Sequence, residues 1–176
     1  MSSKTIWTIG HSSHELEHFL EMLAQSSITA LADVRRFPGS RRQAQFNREH
    51  LEQSLSAVGI EYRHMPRLGG RRTWRMPNSP NTAWRVEAFN AYADHTQTDE
   101  FRAGLDELQQ LAALQRTAMM CAEAVPWRCH RRIISDALVA QGWTVLDIYA
   151  PGRTKEHCWS EFAKIENGQI VYPALF

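Results

Sequence analysis

No run in this chain approaches the roughly 18 consecutive apolar residues that a membrane-spanning helix needs. Its N-terminus also lacks the basic-then-apolar pattern of a secretion signal, so a cytoplasmic protein with no membrane partner is expected. Cysteine is scarce, with three residues at 121, 129 and 158. An odd number placed late in the chain does not make a disulfide framework and predicts free thiols in a reducing compartment. There is no Gly-x-Gly-x-x-Gly or Walker motif, which removes the usual dinucleotide and ATP sites, and no organic cofactor is expected. Lysine is absent from residues 35 to 85. Internal repeats and low-complexity linkers are also missing. The 176 residues, 43% hydrophobic with six tryptophans, suffice for one substantial core, and a single α/β domain over residues 1–176 is expected.

Strand-like and helix-like segments alternate. Lys4 to Ile9 reads as a strand, and His14 to Gln25 as a helix with Leu16, Phe19, Leu20 and Leu23 on one face, capped by Ser13. Ile28 to Val34 is a second strand. Asn47 is placed to cap a helix from Arg48 to Val58 with Leu51, Leu55 and Val58 inward, ended by Gly59. Ile60 to His64 is a third strand. Val86 to His95 and Asp99 to Gln115 are helical, the latter with Phe101, Leu105, Leu108, Leu111 and Leu114 in register. Thr117 to Met120 and Trp143 to Tyr149 are the fourth and fifth strands, and Ile133 to Ala140 repeats at helical spacing between them. The alternation predicts a mostly parallel sheet of about five strands with helices on both faces. Met65 to Trp84, rich in Pro, Gly, Arg and Trp, is a long loop of the kind that forms lids or binding surfaces. From Gly168 to Phe176 a small extra strand and an apolar anchor are expected.

Charge is unevenly spread. Residues 35–85 hold eleven arginines and only Glu49, Glu52 and Glu61, a net +8 against −7 for the remainder. Guanidinium forks bind phosphate or carboxylate bidentately, so this segment predicts an acidic partner for one face. In a parallel sheet the residues following each strand become neighbours along one edge. Here those are Gly10-His11-Ser12, Asp33-Val34-Arg35, His64 through Gly70, Cys121-Ala122-Glu123 and Asp147 to Gly152.

Thr8-Ile-Gly-His-Ser12, Asp33-Val-Arg35 with Pro38 and Ser40, Phe46-Asn47, Gly59-Ile-Glu-Tyr62, Leu68-Gly-Gly70, and Cys121-Ala-Glu123 with Cys129-His-Arg131 together resemble the domain-of-unknown-function 488 family. The resemblance implies a soluble prokaryotic α/β domain with these motifs as its site, and it supplies no substrate. One departure is Asp147, where similar sequences lead to an expectation of histidine.

The residues themselves suggest roles. Cys129 precedes a helix and sits among Arg128, Arg131 and Arg132, which favours a thiolate. Neither cysteine heads a Cys-x5-Arg phosphate loop, because the sixth residue after Cys121 is Trp127 and after Cys129 is Ser135. Cys121, Glu123, Cys129 and His130 include soft ligands, but the thiol spacing lacks a paired knuckle, and no metal site is expected. Glu123, His11 and Asp33 are candidate acid-base groups, and Cys129 a candidate nucleophile. Arg35, Arg36, Arg41, Arg42, Ser12, His130, Arg131, Gly69 and Gly70 are candidate anion-binding residues, with Trp74 and Trp84 as stacking platforms for bases. The leading expectation is a hydrolase or transferase acting on a nucleotide or nucleic acid through an arginine-rich phosphate pocket at the strand carboxyl edge. A non-catalytic nucleic-acid-binding module and a thiol enzyme using Cys129 or Cys121 are the alternatives. The sequence sets no oligomeric state.

Overall fold

The computed structural model describes residues 4–174 and forms an α/β sandwich around a six-stranded sheet. Five strands are parallel: β1 (Thr5–Gly10), β2 (Ala30–Asp33), β3 (Glu61–His64), β4 (Thr117–Cys121) and β5 (Thr144–Ala150). The sixth, β6 (Arg153–Glu156), folds back antiparallel on β5 and completes the order β3-β2-β4-β1-β5-β6. A separate hairpin pairs β7 (Lys164–Glu166) with β8 (Gln169–Val171). The expected tail strand is therefore half of a hairpin, with Val171 and Tyr172 buried, while Leu175 and Phe176 lie outside the described residues.

Successive strand residues point to opposite faces, and each face carries its own core. Trp7, Ile9, Leu31, Ala118 and Met120 pack beneath α1 (Leu16–Gln25) and α2 (Arg48–Ala57) through Phe19, Leu23, Leu51 and Leu55. Ile6, Ala32, Met119 and Val145 pack beneath α3 (Glu87–His95), α4 (Asp99–Leu114) and α5 (Arg131–Ala140) through Tyr92, Leu105, Leu108, Ile134 and Leu138. Each fully buried Leu or Phe contributes about 1.5–3 kcal/mol relative to exposure.

This division of helices creates a crevice. From the carboxyl end of β1 the chain departs to α1 on one face, and from its neighbour β4 it departs to α5 on the other. Ligands of open α/β sheets bind where adjacent connections diverge in this way. The strand ends are level there, since Gly10 pairs with Cys121, and Asp33 with both Met120 and His64. Two contacts extend the pairing into the loops: the His11 amide donates to the Cys121 carbonyl, and the Ser12 amide to that of Ala122, each at 3.0 Å.

Several local expectations are corrected. Ser13 does not cap α1; Glu15 takes that position with no side-chain bond, and the helix begins only at Leu16 because Ser12 turns the chain with φ 46°. Asn47 occupies the position before α2, but its side-chain oxygen accepts from the Ser40 amide at 2.6 Å. Val58 and Leu114, expected inward, are 55% and 86% exposed at helix ends that nothing covers. The long excursion after β3 is tied down: buried Asp94 accepts from the Arg75 Nε, the Met76 amide, the Asn81 side chain and the Ser79 hydroxyl. No helix among the described residues is long and apolar enough to cross a membrane.

Candidate functional site

A cavity of about 330 Å³ opens at the divergence of β1 and β4. Its floor is sulfur. Cys121 ends β4 and Cys129 stands just before α5, and the two are 2% and 5% exposed. Between them runs the side chain of Arg131, itself 1% exposed. Arg131 donates from Nε to Cys121 Sγ at 2.9 Å, from Nη1 to Thr8 Oγ1 at 2.9 Å and from Nη2 to the Glu123 carbonyl at 2.9 Å. Its backbone amide donates to Cys129 Sγ at 3.4 Å. No carboxylate pairs directly with this guanidinium among the described residues, although Thr8 passes the contact on to Asp147 Oδ1 at 2.5 Å.

His130 faces Cys129. Its Nε2 lies 2.9 Å from the Val34 carbonyl, and a carbonyl can only accept, so Nε2 carries the hydrogen. That leaves Nδ1, 3.4 Å from Cys129 Sγ, as the acceptor for the thiol proton. Burial holds His130 below the ordinary imidazole range despite the Val34 contact. Burial alone would raise Cys129, but the neighbouring Cys121 thiol, the Arg131 charge and the Arg131 amide together lower it from 9.0 to about 7. Cys121, by contrast, is pushed well up by its burial. One sulfur of the pair is thus a thiolate near neutrality and the other a thiol.

Close backbone approach locks this geometry. A Cβ on Gly10 would lie 1.7 Å from the Glu123 carbonyl oxygen, and one on Gly70 would lie 2.8 Å from His130 Nδ1. A Cβ on Gly69 would likewise lie 2.7 Å from the Arg36 Cα. The two glycines after Leu68 are therefore spacers that let the loop reach His130 and Arg36.

The cavity wall is cationic. Arg35, Arg36, Arg71 and Arg128 line it, with Glu123 as the acidic residue and Phe37 and Phe89 as aromatic surface. The Glu123 carboxylate is exposed and has no ion-pair partner among the described residues. Arg36 donates to the Arg71 carbonyl at 3.0 Å and lies over the Phe37 ring at 5.3 Å. Phe37 itself is 63% exposed.

Six expected residues take other roles. Asp33, fully buried, accepts from Arg35 Nε at 2.9 Å, Arg35 Nη2 at 2.7 Å, the Arg35 amide at 3.1 Å and the Tyr62 hydroxyl at 2.6 Å. With its acceptor sites filled it anchors Arg35 instead of moving protons, and burial beside it raises the Tyr62 phenol. His11 donates from Nδ1 to the Ser12 carbonyl at 2.8 Å, accepts at Nε2 from Arg35 Nη1 at 3.4 Å, and stacks on Phe46. Burial lowers it to about 4, so it is a neutral support for Arg35 at physiological pH. Ser12 spends its amide on Ala122 and does not line the cavity. His130 and Arg131 serve the thiols, leaving neither free to clasp an anion. Trp84 is buried among Phe89, Phe162 and Tyr172 with Arg132 against its ring, so no base can stack on it.

Arg41, Arg42 and Trp74 are exposed but do not line the cavity, whereas Glu123, Cys129, Arg35, Arg36 and Gly70 do. Arg71 follows the glycines expected to hold an anion, Thr8 and Tyr62 belong to the motifs but had no individual role, and Phe89 was not anticipated. Thr8 and Tyr62 stand at the ends of recognisable sequence motifs, but Phe89 reads only as the apolar face of a helix.

A family description, Domain of unknown function DUF488, matches residues 15–138. The chain belongs to the DUF488 family. The matched span holds α1 through most of α5, including both cavity cysteines, Arg131 and the Asp33–Arg35 pair, while β1 with Thr8, Gly10 and His11 precedes it. No curated protein and no solved structure matches the chain.

Proposed function

We propose that this DUF488 protein is a thiol-dependent hydrolase or transferase that acts on a phosphate-bearing substrate of nucleotide size, with Cys129 as nucleophile. The observation that carries the reading is the environment of Cys129: a sulfur lowered to about 7, capped by the Arg131 amide, facing His130 Nδ1 and opening on a cavity. A nucleophile, a base within reach and a third group orienting the base is the arrangement that covalent catalysis requires. Here the orienting group is the Val34 carbonyl.

Substrate class follows from the wall. A volume of about 330 Å³ suits a small molecule and excludes a duplex. Arg36, Arg71 and Arg128 supply charge for a phosphate, while Phe37 and Phe89 offer ring faces for a base. In the proposed reaction the Cys129 thiolate bonds to the electrophilic atom as the leaving group departs. Where Cys129 enters as the thiol, neutral His130 takes its proton at Nδ1 and passes it to that leaving group; where it enters as the thiolate, the leaving group takes its proton from water. Water or an acceptor alcohol then displaces the sulfur, with the exposed Glu123 carboxylate at the rim as base.

The test is alkylation by iodoacetamide, located by peptide mass and followed against pH. Cys129 is expected to react with an inflection at about 7, faster at neutral pH than Cys158, and to be protected by AMP or inorganic phosphate. In a screen of nucleotides and phosphate esters, Cys129→Ser is expected to abolish any turnover found with the parent protein. Alkylation of Cys129 no faster than that of Cys158, or unaffected by AMP and phosphate alike, would overturn the reading.

A further inference from the structure

We infer that Cys121 is the resolving partner of Cys129, and that the two form a reversible intramolecular disulfide when the site meets a hydroperoxide. The inference shares Cys129 with the proposed reaction but needs no substrate, and either can fail alone.

Its basis is the way one residue gathers both sulfurs. Arg131 Nε reaches Cys121 Sγ at 2.9 Å, and the amide of the same residue reaches Cys129 Sγ at 3.4 Å. Both sulfurs line one cavity, so an oxidant small enough to enter meets them together. The division of labour suits stepwise oxidation. Cys129 is the thiolate, the form that attacks peroxides, and Cys121 keeps its proton because burial raises it. The Cys121 hydrogen has no strong competing acceptor, since its contact to the Glu123 carbonyl is long at 3.7 Å.

The steps balance. The Cys129 thiolate attacks one peroxide oxygen, the O–O bond breaks, and the departing alkoxide or hydroxide takes a proton from water, leaving Cys129 as a sulfenic acid. The sulfur of Cys121 then attacks the Cys129 sulfur, its proton leaves with the hydroxyl as water, and the S–S bond forms. Two electrons have passed from the two sulfurs to the hydroperoxide. A dithiol of the cell or an added reductant reverses the change. The oxidised centre has no thiolate, so chemistry that depends on Cys129 stops while the bridge lasts. The bridge spans only the turn between β4 and α5, where Gly10 already presses on the Glu123 carbonyl, so closure involves a segment held against β1.

Cys158 provides the internal control, because it is exposed and its sulfur makes only a long approach, 3.9 Å, to the Glu156 carbonyl. The experiment titrates the reduced full chain with hydrogen peroxide from one equivalent to a several-fold excess and reads intact mass and non-reduced peptide maps. Loss of two hydrogens, mapped to a Cys121–Cys129 peptide pair and restored by dithiothreitol, is expected in the parent protein and in Cys158→Ser. Cys121→Ser is expected to give Cys129 carrying two or three added oxygens instead. Over-oxidised Cys129 beside a free Cys121 in the parent protein would overturn the inference, and so would loss of the two-hydrogen change in Cys158→Ser. The parent-protein map decides even if the Cys121 variant does not fold.

Discussion

Arg131 holds a full charge where water hardly reaches, at 1% exposure, and what balances it is largely sulfur. Burial works against the guanidinium, yet the adjoining cysteines keep it firmly protonated. The dependence runs both ways, because the same charge helps bring Cys129 to about 7. Arg131→Met should therefore raise the Cys129 alkylation inflection by about one pH unit or more, and Arg131→Lys should restore part of the shift. The Asp33–Arg35 pair is the second buried charge at the site, with Asp33 at 0% and Arg35 at 7% exposure. Removing one partner of such a pair typically costs about 3–5 kcal/mol. Asp33→Asn should lower stability by that amount in urea titration and loosen the Arg35 side of the cavity. A variant that keeps its urea midpoint would show that Asp33 is not the anchor described.

Among the elements, the turn between β4 and α5 is held by contact with a glycine more than by its own regularity. Gly10→Ala places a methyl 1.7 Å from the Glu123 carbonyl oxygen, which backbone cannot yield cheaply. Overpacking of this kind costs about 1–3 kcal/mol. The expected signature is that loss of stability together with a Cys129 alkylation profile displaced upward, as the Arg131 contact to Glu123 is broken. Elements with strong periodicity, such as α4 and the apolar β4, were legible in the sequence because burial pattern and element type agree. The edge strand β6 was not. Arg-Thr-Lys-Glu is exposed at all four positions and offers no alternation to read. The start of α1 was misread for a related reason, since Ser13 has a capping chemistry that the turn at Ser12 leaves unused.

For the molecule as a whole, the +8 segment pointed to an anion, but part of its charge is engaged internally. Arg72 cradles the carbonyls of Pro66 and Gly69, Arg75 joins Asp94, Glu87 and the Asn81 carbonyl, and Arg63 pairs with Glu61. Guanidinium was chosen over ammonium at these places for its planar fork, which gathers backbone oxygens as readily as phosphates. That residues from several strand ends would share one crevice was legible. Its sulfur-centred chemistry was less so, because the contacts of Arg131 to Thr8 and Cys121 join residues far apart in sequence. Acid response is also a property of the whole fold. His11, His14, His95 and His130 all sit below the ordinary imidazole value through burial. Between about pH 6.5 and about 4 the unfolded chain binds protons that folded His11 does not, so stability falls as pH falls through that window. His11 alone accounts for a loss on the order of 3 kcal/mol. Urea midpoints across this range should decline, and His11→Gln, which does not titrate there, should show a shallower decline.

Every position of β6 meets solvent, and three of its four side chains are Arg153, Lys155 and Glu156. Another molecule's backbone could reach the free amides and carbonyls of that border only by stripping water from these ionised groups. Growth of the sheet on this flank therefore carries a desolvation penalty that an uncharged border would lack.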